Sequence, residues 1–219
     1  MNFPTYPMQN VGNPNQMPQN LLTGTTGLAI KFADGMIIVA DRRASAGTFV
    51  ASKHAKKVHK LNAYTGMGIA GLVSDAQTLI DVMKSELRLY ELENGFRPSI
   101  KVAGSLLATI IHGGFRRYQP WWVQLLVGGV DRRGAHVYVL DPSGSLSEED
   151  YIAIGSGTLL AMGVLESSWK PDLTKAKAKE LAITALKTAI GRDVATGNGI
   201  DGLIFSTKED VAEEIHIDL

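Results

Sequence analysis

The chain has 219 residues, no cysteine, and 22 basic residues set against 22 acidic ones, so its formal net charge is zero. That balance argues against a nucleic-acid scaffold or a polybasic membrane binder. The missing cysteines exclude a disulfide scaffold, a thiolate metal site, a redox pair and a cysteine nucleophile, and they fit a cytoplasmic location. Hydrophobic residues at 45% and charged residues at 20% describe a globular chain able to bury its own core. Its longest apolar runs fall far short of the ~20 residues that span a bilayer.

Residues 1–24 contain no Lys, Arg, Asp or Glu, yet hold four of the eight prolines, five Asn and three Gln. Such a stretch buries too little apolar surface to offset its ordering entropy, so it reads as extended or disordered. It has neither the basic start nor the apolar stretch of a secretory signal.

At Thr25 the composition turns to strand-forming sequence. Residues 25–32 and 36–40 read as strands joined through Ala33-Asp34-Gly35, where Asp-Gly is a hairpin signal. Residues 57–61 and 67–70 are two further strand candidates. The period then changes to 3.6: Ala76, Leu79, Ile80, Met83, Leu87 and Tyr90 share one helical face. Ser74-Asp75-Ala76-Gln77 reads as a capping box at the start of that helix and Asn94-Gly95 as its stop. A second helix is expected from about Ser99 to Arg117. Strands follow at 123–130, 135–140 and 151–154, with a turn at Asp141-Pro142-Ser143-Gly144. Helices at about 158–168 and 173–191 lead to closing strands at 203–206 and 211–217. Strands and helices are segregated along the chain, which argues for one α+β domain rather than an alternating parallel sheet.

Gly197-Asn198-Gly199-Ile200-Asp201-Gly202 spells the letters of a dinucleotide fingerprint. That motif needs a strand before it and a helix after it, and here the order is reversed. The five histidines (His54, His59, His112, His136 and His216) show no metal-ligand spacing, and no cofactor or metal is expected.

The segment Gly24-Thr25-Thr26-Gly27-Leu28-Ala29-Ile30-Lys31-Phe32, then Val39-Ala40-Asp41-Arg42-Arg43 and Lys56-Lys57-Val58, resembles the start of a mature proteasome β-subunit, a threonine-type N-terminal nucleophile hydrolase. Thr65–Gly71, Val123–Gly129, Gly155-Ser156-Gly157 and Arg192-Asp193 continue the resemblance, which extends from Thr25 to the C-terminus and looks most like archaeal 20S subunits. It implies a four-layer αββα sandwich of two antiparallel sheets. The first 24 residues would be a propeptide, removed by autocatalytic cleavage between Gly24 and Thr25, and residues 25–219 the catalytic domain.

The chemistry has its own logic. A threonine hydroxyl attacks only when a base takes its proton. A cut before Thr25 frees an α-amine whose ordinary pKa of about 7.7–8.0 suits that task far better than a lysine at ~10.4. By the resemblance, a buried Lys57 ammonium favours the neutral amine through like-charge repulsion, and Asp41 offsets the cost of burying that lysine. Gly71 is implied as the oxyanion donor. Ser156, Asp193 and Thr196 match the positions that hold the amine and the attacking water, with Thr196 standing where serine is usual. Ser45 stands where threonine is commoner. The substrate pocket falls on Ala44, Ser45, Ala55, Ile69, Gly71 and Val73, and His59 is expected at its floor. All are uncharged apart from that histidine, so cleavage after large apolar residues is expected.

The implied partners are α-subunits and other β-subunits in stacked seven-membered rings, an ATPase ring acting through the α-rings, and unfolded protein substrates. Neither nucleic acid nor membrane is expected. Tyr118-Gln119-Pro120-Trp121-Trp122 and the helix after Ser74 are candidate ring contacts. Two other readings stay open: a catalytically silent structural subunit, and a small-amide hydrolase of the same nucleophile class.

Overall fold

A computed structural model of the chain describes residues 24–219; of the expected propeptide, all but Gly24 lies outside the described residues. Strands β1 (Thr26–Phe32) and β2 (Gly35–Asp41) form the expected hairpin. Its two-residue turn is Ala33-Asp34, and neither takes the left-handed conformation that an Asp-Gly turn suggests. Gly35 instead opens β2, where a Cβ would sit 2.1 Å from the Phe205 carbonyl oxygen.

A short hairpin of β3 (Ala44–Ala46) and β4 (Phe49–Ser52) follows, then β5 (Val58–Lys60) and β6 (Thr65–Gly71). Helices α1 (Val73–Asn94) and α2 (Ile100–Arg116) come next. Strands β7 (Val123–Asp131), β8 (Gly134–Leu140), β9 (Leu146–Glu148) and β10 (Tyr151–Gly155) precede α3 (Thr158–Ser168) and α4 (Lys175–Ile190). Strands β11 (Ile200–Ser206) and β12 (Glu213–Ile217) close the chain.

Two five-stranded antiparallel sheets result, ordered β10-β1-β2-β11-β12 and β5-β6-β7-β8-β9. The segregated α+β order expected from the sequence is what forms. The period-2 alternation of β2 explains how it is buried on both faces. Ile37 and Val39 pack with Ala161 and Leu165 of α3 and Leu181, Ala182 and Leu186 of α4. Met36, Ile38 and Ala40 meet Val58, Ala70, Leu126 and Val137 of the other sheet. On that sheet's far side, Met67, Ile69, Leu125 and Val127 pack against Leu79 and Met83 of α1 and Leu107 of α2.

The helix ends differ from expectation at one point. Helix α1 has Leu72 as its N-cap with no side-chain cap bond, so Ser74 is not the head of a capping box. The start is set by tertiary ties instead. Leu72 N donates to the Trp122 carbonyl (2.8 Å), and the Asp75 carboxylate accepts from Trp122 N (2.9 Å). Gly95 does end the helix, in the left-handed conformation (φ 72°). Ser99 caps α2, its hydroxyl accepting from Val102 N, and Thr174 caps α4 in the same way.

Three strand segments differ as well. The β3–β4 hairpin and β9 are three or four residues long and largely exposed, too short to show an alternating pattern. Strand β11 starts three residues before its expected Leu203, because the glycine-rich segment itself enters the sheet beside β2. The 118–122 stretch divides: Tyr118 is 80% exposed with φ 59°, whereas Trp121 packs on the apolar cluster beneath α1 and α2.

Candidate active site

Both sheets bring loop ends to one side of the molecule. There lie the start of β1, the ends of β2 and β10, the approach to β11, the approach to β5 and the end of β6. These positions carry Thr25, Asp41, Ser156, Thr196, Lys57 and Gly71, separated by as many as 171 residues in sequence.

Thr25 is 4% exposed. Its hydroxyl lies 2.7 Å from the Gly24 carbonyl oxygen, to which it donates. Lys57 Nζ donates to the same oxygen at 3.2 Å and to Asp41 Oδ1 at 2.7 Å. Burial pulls the Lys57 pKa below the usual lysine range, and the pairing with Asp41 only partly opposes it. Asp41 is fully buried and accepts four bonds: Thr26 N and Lys57 Nζ at Oδ1, Arg43 N and Gly197 N at Oδ2. The lysine's counter-ion therefore also knits three backbone segments together.

Around the Thr25 nitrogen, Ser156 Oγ stands at 3.3 Å, while Ser156 N donates to Thr25 O at 2.8 Å. Ser156 and Thr196 both donate to Asp193 Oδ2, each at 2.5 Å. Burial alone would raise the Asp193 pKa; the bonds from Ser156, Thr196 and Ala195 N outweigh it and hold the carboxyl below its usual range. Its contribution to stability is present above the ordinary carboxylate value of about 3.9 and is lost as pH falls through its own lower one. An ionised carboxylate only accepts, so the Ser156 hydroxyl gives it the proton and turns a lone pair toward the Thr25 nitrogen.

Glycines make these approaches possible. A Cβ at Gly155 would lie 2.1 Å from Thr25 O, and one at Gly157 2.1 Å from Thr26 Oγ1. A Cβ at Gly24 would lie 1.9 Å from Ala195 Cβ, so the glycine is needed for fit against the loop that carries Asp193 and Thr196. Replacing Gly24 by alanine is expected to push that loop away from Thr25. The measurement is processing rate by intact mass, with at least ~10-fold slowing expected, in line with the cost of a small misplacement of reacting groups. Gly71 takes φ 112°, and a Cβ there would lie 2.3 Å from the Trp122 carbonyl oxygen, so it too must be glycine.

A cavity of about 220 Å³ opens beside Thr25. Ala44, Ala55, Ile69, Gly71 and Val73 line it, together with His59, Gln77, Lys56 and Lys57. His59 Nε2 donates to the Lys56 carbonyl (3.0 Å), and burial draws the imidazole pKa down. Ser45 is not among the lining residues; its hydroxyl accepts from Gly24 N at 3.0 Å.

Two contributors were not foreseen. Thr26, fully buried, lies with its hydroxyl 2.7 Å from that of Thr196. Because Thr196 gives its proton to Asp193, Thr26 donates to Thr196 and fixes its rotor. Arg43 holds the same loop from outside, through Val194 O (2.7 Å) and Asn198 Oδ1 (2.9 Å). The Thr26-Gly27 and Arg42-Arg43 letters were in view, but only the fold brings either beside residues 193–198.

Fold and site together define an α+β protein of two antiparallel sheets with a buried threonine, lysine and aspartate gathered at their shared end. The chain belongs to the proteasome subunit family, whose model matches residues 21–204. It is similar to proteasome subunit beta 1 of Korarchaeum cryptofilum, with 41% identity over 202 residues covering 88% of this chain and 96% of that one. It is also similar to the proteasome subunit beta of Methanocorpusculum labreanum, with 42% identity over 196 residues covering 89% and 92%. No helix among the described residues is long and apolar enough to cross a membrane.

Proposed function

We propose that the chain is a proteolytic β-subunit of a 20S-type proteasome core, a threonine endopeptidase made as a precursor and activated by its own cleavage at Gly24–Thr25. The observation that carries this is the convergence of the Thr25 hydroxyl and the Lys57 ammonium on one carbonyl oxygen, that of Gly24. In the precursor, the Thr25 hydroxyl adds to the Gly24 carbonyl carbon, and Lys57 faces the oxyanion that develops. Expulsion of the Thr25 nitrogen, which takes up the proton given up by the hydroxyl, leaves an ester, and water releases residues 1–24 with a new carboxylate. The free α-amine is then the base for the next attack, made by the same hydroxyl on a substrate peptide bond.

In this reading Gly71 supplies an oxyanion donor, and Ser156, Asp193 and Thr196 hold the amine and the incoming water. The three apolar clusters are read as the interfaces of a four-layer αββα sandwich of the N-terminal nucleophile hydrolase type. Seven-membered rings stacked with α-subunits enclose the site in the cytoplasm, and an ATPase ring delivers unfolded chains. Intact mass after co-expression with the matching α-subunit tests the processing: the assembled chain is expected to begin at Thr25. Active protein that retains its first 24 residues would refute the mechanism.

The cavity beside Thr25 supports a chymotrypsin-like preference. Ala44, Ala55, Ile69 and Val73 present no counter-charge. Burying a Leu, Phe or Tyr side chain there gains ~1.5–3 kcal/mol, whereas an arginine loses hydration without a partner and a glutamate meets only the exposed Lys56 and a Lys57 already paired with Asp41. Lys56 on the wall disfavours arginine further. Fluorogenic peptides ending in Tyr or Leu are expected to be cut at least ~10-fold faster than those ending in Arg or Glu, about the discrimination a pocket of this kind supplies. Faster cleavage after Arg or Glu would reject the pocket assignment and leave the Thr25 chemistry untouched.

A further inference from the structure

Arg42 follows Asp41 directly and is 8% exposed, yet it has no part in the chemistry above. Its backbone ties two segments of the site: Arg42 N donates to Gly197 O (3.1 Å), and Ala55 N donates to Arg42 O (2.9 Å). Its guanidinium faces four side chains. Nη2 donates to His54 Nδ1 at 2.8 Å, and Nη1 donates to Asp218 at 2.6 Å and lies 3.3 Å from His216 Nε2. Nε stands 3.9 Å from Asp201.

We propose that Arg42 is a positioning residue, a pH-sensitive clasp that holds residues 53–57 against the end of β2, and with them the pocket wall at Ala55 and the ammonium of Lys57. The claim rests on the reading of Lys57 as a site residue. The sensitivity follows from hydrogen-bond direction. A guanidinium only donates, so His54 Nδ1 accepts and carries no proton while the clasp is closed. A proton on Nδ1 removes the acceptor and sets an imidazolium against the guanidinium at bonding distance.

The groups around this point sort into two kinds. His216 Nδ1 lies 2.7 Å from Asp201 Oδ1, and His216 Nε2 lies 3.6 Å from Asp218 Oδ1, so carboxylates offset a proton taken up there. His54 meets Arg42 with no such offset among its bonds. The clasp is therefore closed at neutral pH and opens in acid, and His54 sets the direction.

Hydrogen exchange read by mass spectrometry on the purified full chain tests this, on peptides covering residues 53–57, corrected for intrinsic chemistry. The comparison is pH 7.5 with pH 5.5. In the native protein, protection is expected to fall at least ~10-fold at the lower pH, as loss of a local opening barrier requires. His54→Gln keeps an acceptor that does not titrate and should stay protected at both pH values. His54→Phe has no acceptor and should be unprotected at both.

Native protection that does not change with pH would overturn the clasp. So would a His54→Gln variant that loses protection as the native protein does, or a His54→Phe variant as protected as native at pH 7.5. The rate of peptide cleavage at pH 5.5 relative to pH 7.5 should be higher in His54→Gln than in the native enzyme, and equal ratios would refute the link to the site. Absence of peptidase activity from all of the proteins would sink the proteolytic reading alone, since exchange reports the clasp without it.

Discussion

A Thr25→Ala chain is expected to keep residues 1–24, to assemble, and to show no peptidase activity above background. The substitution removes one hydroxyl and one methyl from a site whose backbone is held independently. Thr25 O still accepts from Ser156 N (2.8 Å), and Thr26 N still donates to Asp41 (3.0 Å). The Gly24 carbonyl loses the Thr25 hydroxyl but keeps Lys57. Loss of one such bond costs about 1 kcal/mol of stability, too little to unfold the domain, whereas among the described residues no other hydroxyl bonds the Gly24 carbonyl to take its place in forming the ester. Thr25→Ser separates the roles further. It keeps the nucleophile but lacks the β-branch that fixes χ1, so both processing and turnover should persist at reduced rates. Intact mass and fluorogenic peptide turnover on the assembled proteins decide the matter. A Thr25→Ala chain that begins at residue 25, or that turns over peptide, would show that the nucleophile lies elsewhere.

Much of this arrangement was legible in the sequence, and the parts that were not share a cause. Long periodic elements declared themselves: the face Ala76, Leu79, Ile80, Met83 and Leu87 of α1 is buried, and the apolar run of β2 is buried on both sides. The residues proposed for catalysis fell in short strings whose letters and order match a family, which is how Asp41, Lys57, Ser156, Asp193 and Thr196 were nominated without any contact being visible. What stayed hidden was interaction across the fold. The α1 start depends on Trp122 and Asp75 rather than on Ser74. Ser45 was placed in the pocket by its string, yet its hydroxyl turns to Gly24 N. The partnership of Thr26 with Thr196 spans 170 residues, and no local pattern announces it. Asp41 shows the same limit from the other side. Its role as counter-ion was readable, but its three backbone bonds were not, and these make it a structural knot as well as a partner of Lys57.

Those three bonds shape the second large expectation, that Lys57→Ala lowers turnover by ~10²–10⁴-fold, the range typical of removing a general acid–base or oxyanion partner, while assembly is little changed. Removing one member of a buried ion pair ordinarily costs 3–5 kcal/mol, because a buried charge is left uncompensated. Here the stranded carboxylate keeps Thr26 N, Arg43 N and Gly197 N, which share its charge, so the fold should survive the change. The Lys57 ammonium is itself disfavoured by burial, and its deletion ends that penalty too. The chemistry has no such reserve. The Lys57 side chain is the cation that donates to the Gly24 carbonyl, at 3.2 Å, and a methyl group offers neither charge nor proton. Processing should slow with turnover, so activity is best measured on chains shown by mass to begin at Thr25. Lys56 is the control. It is exposed, and a surface change of this kind stays within about 0.5 kcal/mol, roughly twofold in rate, when a peptide ending in Tyr is the substrate. Equal losses from Lys57→Ala and Lys56→Ala would mean that the cation serving Thr25 has been misassigned.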